Sequence, residues 1–182
     1  VTNGFSIERL ISCGQYIHFH TQLEIYGVTK GRAAFIISGE SKMLTEGQMA
    51  IVDKYENHSV EVEEESVLVV LRVEPGILGP FSYIYANQKL PRWLMDTTFN
   101  QALFDRIDDY SMDIKNVQSE LRVTGMVCQL LADIIEHYGL ESINQTPAHD
   151  IELVVKIVQY IYEHYSEKII LETLANKFHI SP

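Results

Sequence analysis

The 182-residue sequence predicts an α+β chain in which a β-barrel, closed or two-sheeted, is followed by helices. Three observations carry this expectation. Between Ile7 and Val73, short apolar segments alternate with glycine and polar turns. From Phe99 onward apolar residues recur at helical spacing. Between Gly139 and Asp150 that periodicity is lost, then resumes in a second helical pattern.

The strands are read where β-branched and aromatic residues gather: Tyr16–Tyr26, Ala33–Ser38, Lys42–Thr45, Gln48–Val52, Ser59–Val62 and Val67–Val73. Gly31, Ser38-Gly39-Glu40-Ser41, Glu46-Gly47 and Glu63-Glu64-Glu65 supply the turns between them. Many short, evenly spaced strands have exposed edges unless the sheet closes on itself or packs on another, hence the barrel.

After Pro75-Gly76 and Gly79-Pro80 comes an aromatic segment with Phe81, Tyr83, Tyr85 and Trp93, and then helical spacing. Phe99–Tyr110 carries Ala102, Leu103, Phe104 and Ile107. Val117–Tyr138 places Leu121, Thr124, Val127, Cys128, Leu131, Ile134, Ile135 and Tyr138 on one face. A face that long suits burial within one subunit or between two subunits. Gly139 reads as a helix stop and Thr146-Pro147 as a helix start, with a linker between. Ile151, Val154, Val155, Val158, Ile161, Tyr162 and Tyr165 then form an amphipathic helix, followed by a shorter pattern in Leu171, Leu174, Ala175 and Phe178. The expected parts are a barrel over 1–80, a helical dimerisation or connecting region over 81–140, a linker over 141–150 and a final helical unit over 151–182.

Composition bounds the setting. A hydrophobic fraction of 46% with 21% charged residues is that of a folding globular chain. No apolar run reaches the roughly 18 residues a membrane span needs, and Val1 to Leu10 lacks the pattern of a secretory leader. Cys13 and Cys128 fall in unrelated segments, which suits buried, reduced thiols, so a cytoplasmic protein without membrane attachment is expected. Against 14 lysines and arginines stand 25 acidic residues, a net charge of −11, so these residues cannot by themselves supply the basic footprint that nucleic acid requires.

The chemistry concentrates on the first long strand. His18, His20, Gln22, Glu24 and Tyr26 occupy its even positions; Ile17, Phe19, Leu23 and Ile25 are odd. Either the apolar face is core and the polar face wet, or the polar face turns into the barrel, where two histidines and a carboxylate can converge on a metal ion or a polar ligand. Arg72, the only charge in Val67–Val73, could pair with an anionic ligand or reach solvent at a strand end.

The spacing His18-x-His20, three residues, Glu24, six residues, Gly31 resembles the first motif of the cupin barrels. Gly47 followed ten residues later by Asn57-His58 resembles the second. The resemblance covers Ile7 to Val73 and implies a cupin-like barrel of jelly-roll type. It also implies that a metal-binding member would use the positions of His18, His20, Glu24 and His58. The sequence departs from the pattern at Ser12, where a glycine is expected, and at Asp53, Tyr55 and Val62, which replace proline, glycine and asparagine. These departures predict a loosened turn before His58.

The tail from Ile169 to Pro182 resembles the opening of the helix-turn-helix of AraC-type regulators; a generic helical hairpin is the alternative. In that resemblance Ala175 allows close helix approach, Leu171, Leu174, Phe178 and Ile180 fill a small core, and Ser181-Pro182 opens the recognition helix. Ile170 stands where a capping serine or threonine is usual, so a weak helix start is expected. A barrel, a helical pair, a linker and this hairpin are in the domain order of that family.

The resemblance implies a DNA-binding transcription regulator, not an enzyme, with no catalytic residue. Its barrel would sense a small-molecule effector through His18, His20, Glu24, Tyr26, His58 and Arg72. No cofactor is required, although a divalent metal on His18, His20, Glu24 and His58 is compatible. A homodimer is expected, and operator DNA is a partner of the full-length protein rather than of these 182 residues, the basic DNA-reading surface being expected after Pro182. The competing readings are a metal-dependent cupin oxygenase or isomerase on the same four ligands, and a dimerisation module with an empty barrel.

Overall fold

The computed structural model describes residues 4–78, 88–109, 117–142, 153–154, 156–158, 160–161, 164–165 and 167–181. It divides into two compact units, residues 1–142 and 143–182.

The first unit is built on two antiparallel sheets. One has the order β1-β8-β3-β6-β10, made of β1 (Phe5–Ile11), β8 (Val67–Val73), β3 (Leu23–Lys30), β6 (Met49–Val52) and β10 (Trp93–Leu94). The other has the order β2-β7-β4-β5, made of β2 (Gly14–His18), β7 (His58–Val62), β4 (Arg32–Ile37) and β5 (Glu40–Thr45). A small ribbon pairs β9 (Gln88–Lys89) with β11 (Glu141–Ser142). Strand alternation sorts the side chains into two cores. Tyr26, Val28, Ala50, Val52, Leu68 and Val70 meet Ala33, Phe35, Ile37, Leu44, Val60 and Val62 between the sheets. The opposite face of the five-stranded sheet, with Leu23, Ile25, Ile51, Val69 and Leu71, packs against helices.

Those helices are α2 (Thr97–Asp109) and α3 (Val117–Tyr138); a single turn, α1 (Pro75–Leu78), follows β8. Asp96 starts α2 by accepting the backbone N–H groups of Thr98 and Phe99, both at 3.1 Å. Leu103, Phe104 and Ile107 of α2 are buried, with Val123, Met126, Val127, Leu130, Leu131 and Ile134 of α3. Gly27 lets α2 lie close to the sheet, because a Cβ there would sit 1.9 Å from Phe104 Cε1. The buried stripe of α3 is rotated from the expected one: Leu121 is 67% exposed, and Met126 and Leu130 take the central places. The row Val123, Met126, Leu130 and Ile134 packs into the core that this sheet shares with α2, with Val127 and Leu131 buried beside it.

Three other expectations are corrected. Tyr16–Tyr26 is not one strand: it breaks at residues 19–22 and its halves belong to different sheets. Phe5–Ile11 is a strand that the reading from Ile7 did not include. The barrel sheet does not end by residue 80, since Trp93–Leu94 pairs with β6, and Glu141–Ser142, placed in the linker, pairs with β9 inside the first unit. Gly139 does stop α3, at φ +77 with its N–H bonded to the Ile135 carbonyl. Phe81, Tyr83, Tyr85 and Thr146-Pro147 lie outside the described residues.

In the second unit, helical residues between 153 and 164 precede α4 (Leu171–Phe178). Ile170 gives α4 no side-chain cap. At the other end His179 turns left-handed at φ 55, and the Ile180 N–H reaches the Ala175 carbonyl at 3.0 Å. Ala175 is buried, and Phe178 lies edge-on to Tyr160 at 5.9 Å between centroids. Leu174 and Phe178 are half-buried, but Leu171 and Ile180 are exposed, which corrects their assignment to the small core; Ser181 is exposed as well. Leu171 begins the helix and Ile180 follows its cap, so both project past the middle of α4, where the covered Ala175 sits. Pro182, and with it any helix capped by Ser181, lies outside the described residues.

Candidate functional site

The break in the histidine strand builds the site. His18 ends β2 and sits directly across from His58, the first residue of β7, just after a register irregularity between Gln15 and His18. His20 lies in the β2–β3 connection, and its carbonyl receives the Tyr55 N–H at 2.7 Å. Glu24 and Tyr26 are on the interior face of β3, and Arg72 on β8 is the cross-strand partner of Glu24. Five of the six expected ligand residues thus gather directly around Glu24 or beside it, delivered by four strands and a loop.

Glu24 and His58 are fully buried, while His18 and His20 are partly exposed. Glu24 Oε2 accepts the Tyr26 hydroxyl at 2.6 Å and lies 3.1 Å from His20 Nε2 and 3.0 Å from His58 Nε2. Glu24 Oε1 accepts Arg72 Nε at 2.5 Å, and Arg72 Nη1 pairs with Glu8 Oε2 at 2.6 Å. Burial alone pushes the Glu24 carboxyl up, but the imidazoles of His20 and His58 and the Tyr26 hydroxyl outweigh it and hold the group well below the usual carboxylate range. Burial, then the Glu24 charge and hydrogen bond, push the Tyr26 phenol far up, so it remains a donor. Arg72 is held charged against its own burial by Glu8 and Glu24.

Although the imidazoles lie close to Oε2, neither ring nitrogen of His20 and not Nε2 of His58 has a well-aligned hydrogen-bond partner among the described residues. His58 Nδ1 is instead fixed by the Glu56 carbonyl at 3.0 Å and His18 Nδ1 by the Tyr16 carbonyl at 2.7 Å. Such bonds set which nitrogen faces the cluster. One donor atom from each of His18, His20, Glu24 and His58 lies within 4.8 Å of the other three. Three imidazole nitrogens and one carboxylate oxygen, two of the nitrogens buried and unpartnered, are a donor set that fits a first-row divalent metal.

The expected looseness before His58 is corrected. Tyr55 takes a left-handed φ of 65, the conformation a glycine would supply, and Ser12 does the same at φ 43. The turn is tied down instead: Glu56 Oε2 accepts the Asp53 N–H at 3.1 Å, and Arg92 Nη2 holds Glu56 Oε1 at 2.6 Å while Nη1 holds Glu40 at 2.6 Å. Trp93 Nε1 donates to the other oxygen of Glu40 at 2.7 Å. Arg92 is therefore a support of His58 that spacing could not reveal, because its partners are 36 and 52 residues away. Glu8 was missed as well. Its signal was present in the alternation of Phe5 and Ile7 with Ser6 and Glu8.

No family model matches the chain. A curated relative, the uncharacterised HTH-type transcriptional regulator YbfI of Bacillus subtilis (strain 168), is 21% identical over 171 residues, which is 90% of this chain and 62% of the relative. The chain thus spans about three-fifths of the length of that relative. Among solved structures, a ToxT variant from Vibrio cholerae strain SCE256 superposes with a TM-score of 0.63 at 10% identity, covering 99% of this chain and 72% of ToxT. The AraC-like transcriptional activator CuxR superposes at 0.62 and 10% identity, covering 98% and 68%. In fold and in order of parts the chain is similar to these AraC-like structures over nearly its whole length.

Proposed function

We propose that this chain is the sensing part of a DNA-binding transcription regulator of AraC type, with its barrel taking a small effector at the cluster around Glu24. The observation that carries the reading is the succession within one chain of a barrel with a buried polar cluster and a second compact unit holding α4, alongside similarity to a regulator over 90% of the length. An effector bound between strands of both sheets would draw together β3, β7 and the β2–β3 connection, biasing the whole protein toward one arrangement of its DNA-binding helices. The whole protein would act in the cytoplasm, as a homodimer on two half-sites of operator DNA. No helix of the described residues is long and apolar enough to cross a membrane.

The donor set favours a divalent metal as the group held there, with His18, His20, Glu24 and His58 as its ligands. A bound ion would supply a cross-link between the two sheets. A metal-dependent barrel enzyme is the second reading, favoured by the same four donors; it gives no role to the second unit, which the regulator reading requires.

The test is made on the full-length gene product. Footprinting on the DNA upstream of its own gene and of neighbouring genes should show a protected site whose occupancy changes with added divalent metal or with a chelator. An intact product that protects no DNA at physiological salt, with or without metal, would remove the regulator reading. Turnover of a substrate by the metal-loaded chain would install the enzyme reading in its place.

A further inference from the structure

The two oxygens of Glu24 have separate tasks. Oε2 faces the histidines; Oε1 is taken by Arg72 Nε at 2.5 Å. Arg72 is itself pinned from both flanking strands. It lies opposite Glu24 of β3 on one side and Ser6 of β1 on the other, and its Nη1 is paired with Glu8 of β1 at 2.6 Å. A guanidinium gripped at two of its nitrogens, 15% exposed, cannot swing away from Oε1 without breaking a charged pair at each end. Tyr26 occupies one acceptor direction of Oε2 with a 2.6 Å hydrogen bond. What Glu24 can offer an ion is thus a single oxygen, beside the unpartnered nitrogens of His20 and His58.

That restriction has a chemical consequence. Mg²⁺ and Ca²⁺ gather six or more oxygens and draw on bidentate carboxylates, whereas Co²⁺, Ni²⁺ and Zn²⁺ accept imidazole-rich sets with one carboxylate oxygen. Mn²⁺ stands between them and favours carboxylate oxygen more than Co²⁺ does. We propose that Arg72 is the specificity-determining residue of this site: by occupying Glu24 Oε1 it holds the carboxylate to one metal-facing oxygen, and so tunes the barrel toward nitrogen-preferring divalent ions. This rests on the metal reading of the site. Arg72 is a positioning residue that acts through Glu24, with Glu8 as its anchor.

The experiment measures Co²⁺ and Mn²⁺ affinities by competition with a chelating dye on the metal-stripped 182-residue chain without a histidine tag. In the unaltered chain Co²⁺ should bind more tightly than Mn²⁺, and His20→Ala should abolish both. Arg72→Gln should lower the ratio of Co²⁺ to Mn²⁺ affinity by about tenfold, the size typical of removing a partner behind a metal ligand. Arg72→Lys, which still gives Oε1 a cationic donor, should keep the original ratio. A merely structural role would weaken both ions alike and leave the ratio unmoved, and that result in a folded Arg72→Gln would overturn the proposal. If Arg72→Gln does not fold, Glu8→Gln decides, since Glu8 is half in solvent: a lowered ratio supports the proposal and an unchanged one overturns it. Binding of neither ion by the unaltered chain is a different failure, which removes the metal reading itself.

Discussion

The two sheets of the barrel share one interior and differ on the outside. The five-stranded sheet is covered by α2 and α3, so that six successive residues of β3, Leu23 to Val28, are buried whichever way they point. The four-stranded sheet has no such cover among the described residues. Ile36 and Met43 are nearly half exposed on it, and Tyr16 and Ile17 of its edge strand β2 are largely exposed. The candidate site spans this divide. Glu24, Tyr26 and Arg72 stand on the doubly packed sheet, where side chains are costly to move. His18 and His58 come from the singly packed sheet and His20 from the connection between the two. The doubly packed half thus carries the carboxylate, and the singly packed sheet and the connection carry the imidazoles.

Paired substitutions test that contrast directly. Leu71→Ala, in the core under the helices, should cost about 3 kcal/mol in urea unfolding, whereas Met43→Ala on the outer face of the other sheet should cost under about 0.5 kcal/mol. Similar costs at the two positions would mean that the four-stranded sheet is covered in solution after all. The next effect is steric. Gly27→Ala places a methyl against Phe104 and should cost about 2 kcal/mol, with part of the loss recovered when Phe104→Leu is added; additive losses would show that α2 does not rest on β3 as described.

How much of this was legible follows from what each pattern encodes. The even numbering of Glu24 and Tyr26 does place them on one face of β3, because side-chain direction in a strand follows from its period of two, but whether that face was interior or wet the pattern left open. That the segment breaks after His18 and that its halves join different sheets was not legible. His20 reaches Glu24 from a loop, and nothing local distinguishes that from a continuous strand. Arg72 likewise looked equally ready for solvent or for an anion, and only pairing with β1 and β3 gave it Glu8 and Glu24 as partners. In the second unit the pattern marked Ala175 correctly as a close-approach residue, while periodicity alone counted Leu171 and Ile180 as core although both are exposed.

The smallest expected effect concerns the fastening of α2 and α3. Asp96 accepts the Phe99 and Thr98 N–H groups and the His137 imidazole, and Phe99 stacks on that imidazole at 3.9 Å. The Phe99 N–H foremost, with His137 and the Thr98 N–H, holds the Asp96 carboxyl below its ordinary value of 3.8. A lowered folded-state value means that the cap contributes stability above pH 3.8 and loses it as pH falls through the folded value. The melting temperature of Asp96→Asn should therefore lie below that of the unaltered chain at pH 7, and the gap should close on acidification. A gap constant from pH 7 to pH 3 would show that the charge of Asp96 is not what caps α2.

By itself the sequence determined the class of fold, the order of barrel and helices, and the residue types that face the barrel interior, because composition and periodicity are local consequences of how strands and helices bury one side. The tertiary structure decided the site. Which nitrogens go unpartnered, which oxygen of Glu24 is taken, and how Tyr55 and Arg92 aim His58 without the usual turn residues all depend on side chains brought together across both sheets. Long-range pairing of that kind leaves no periodic trace in the chain.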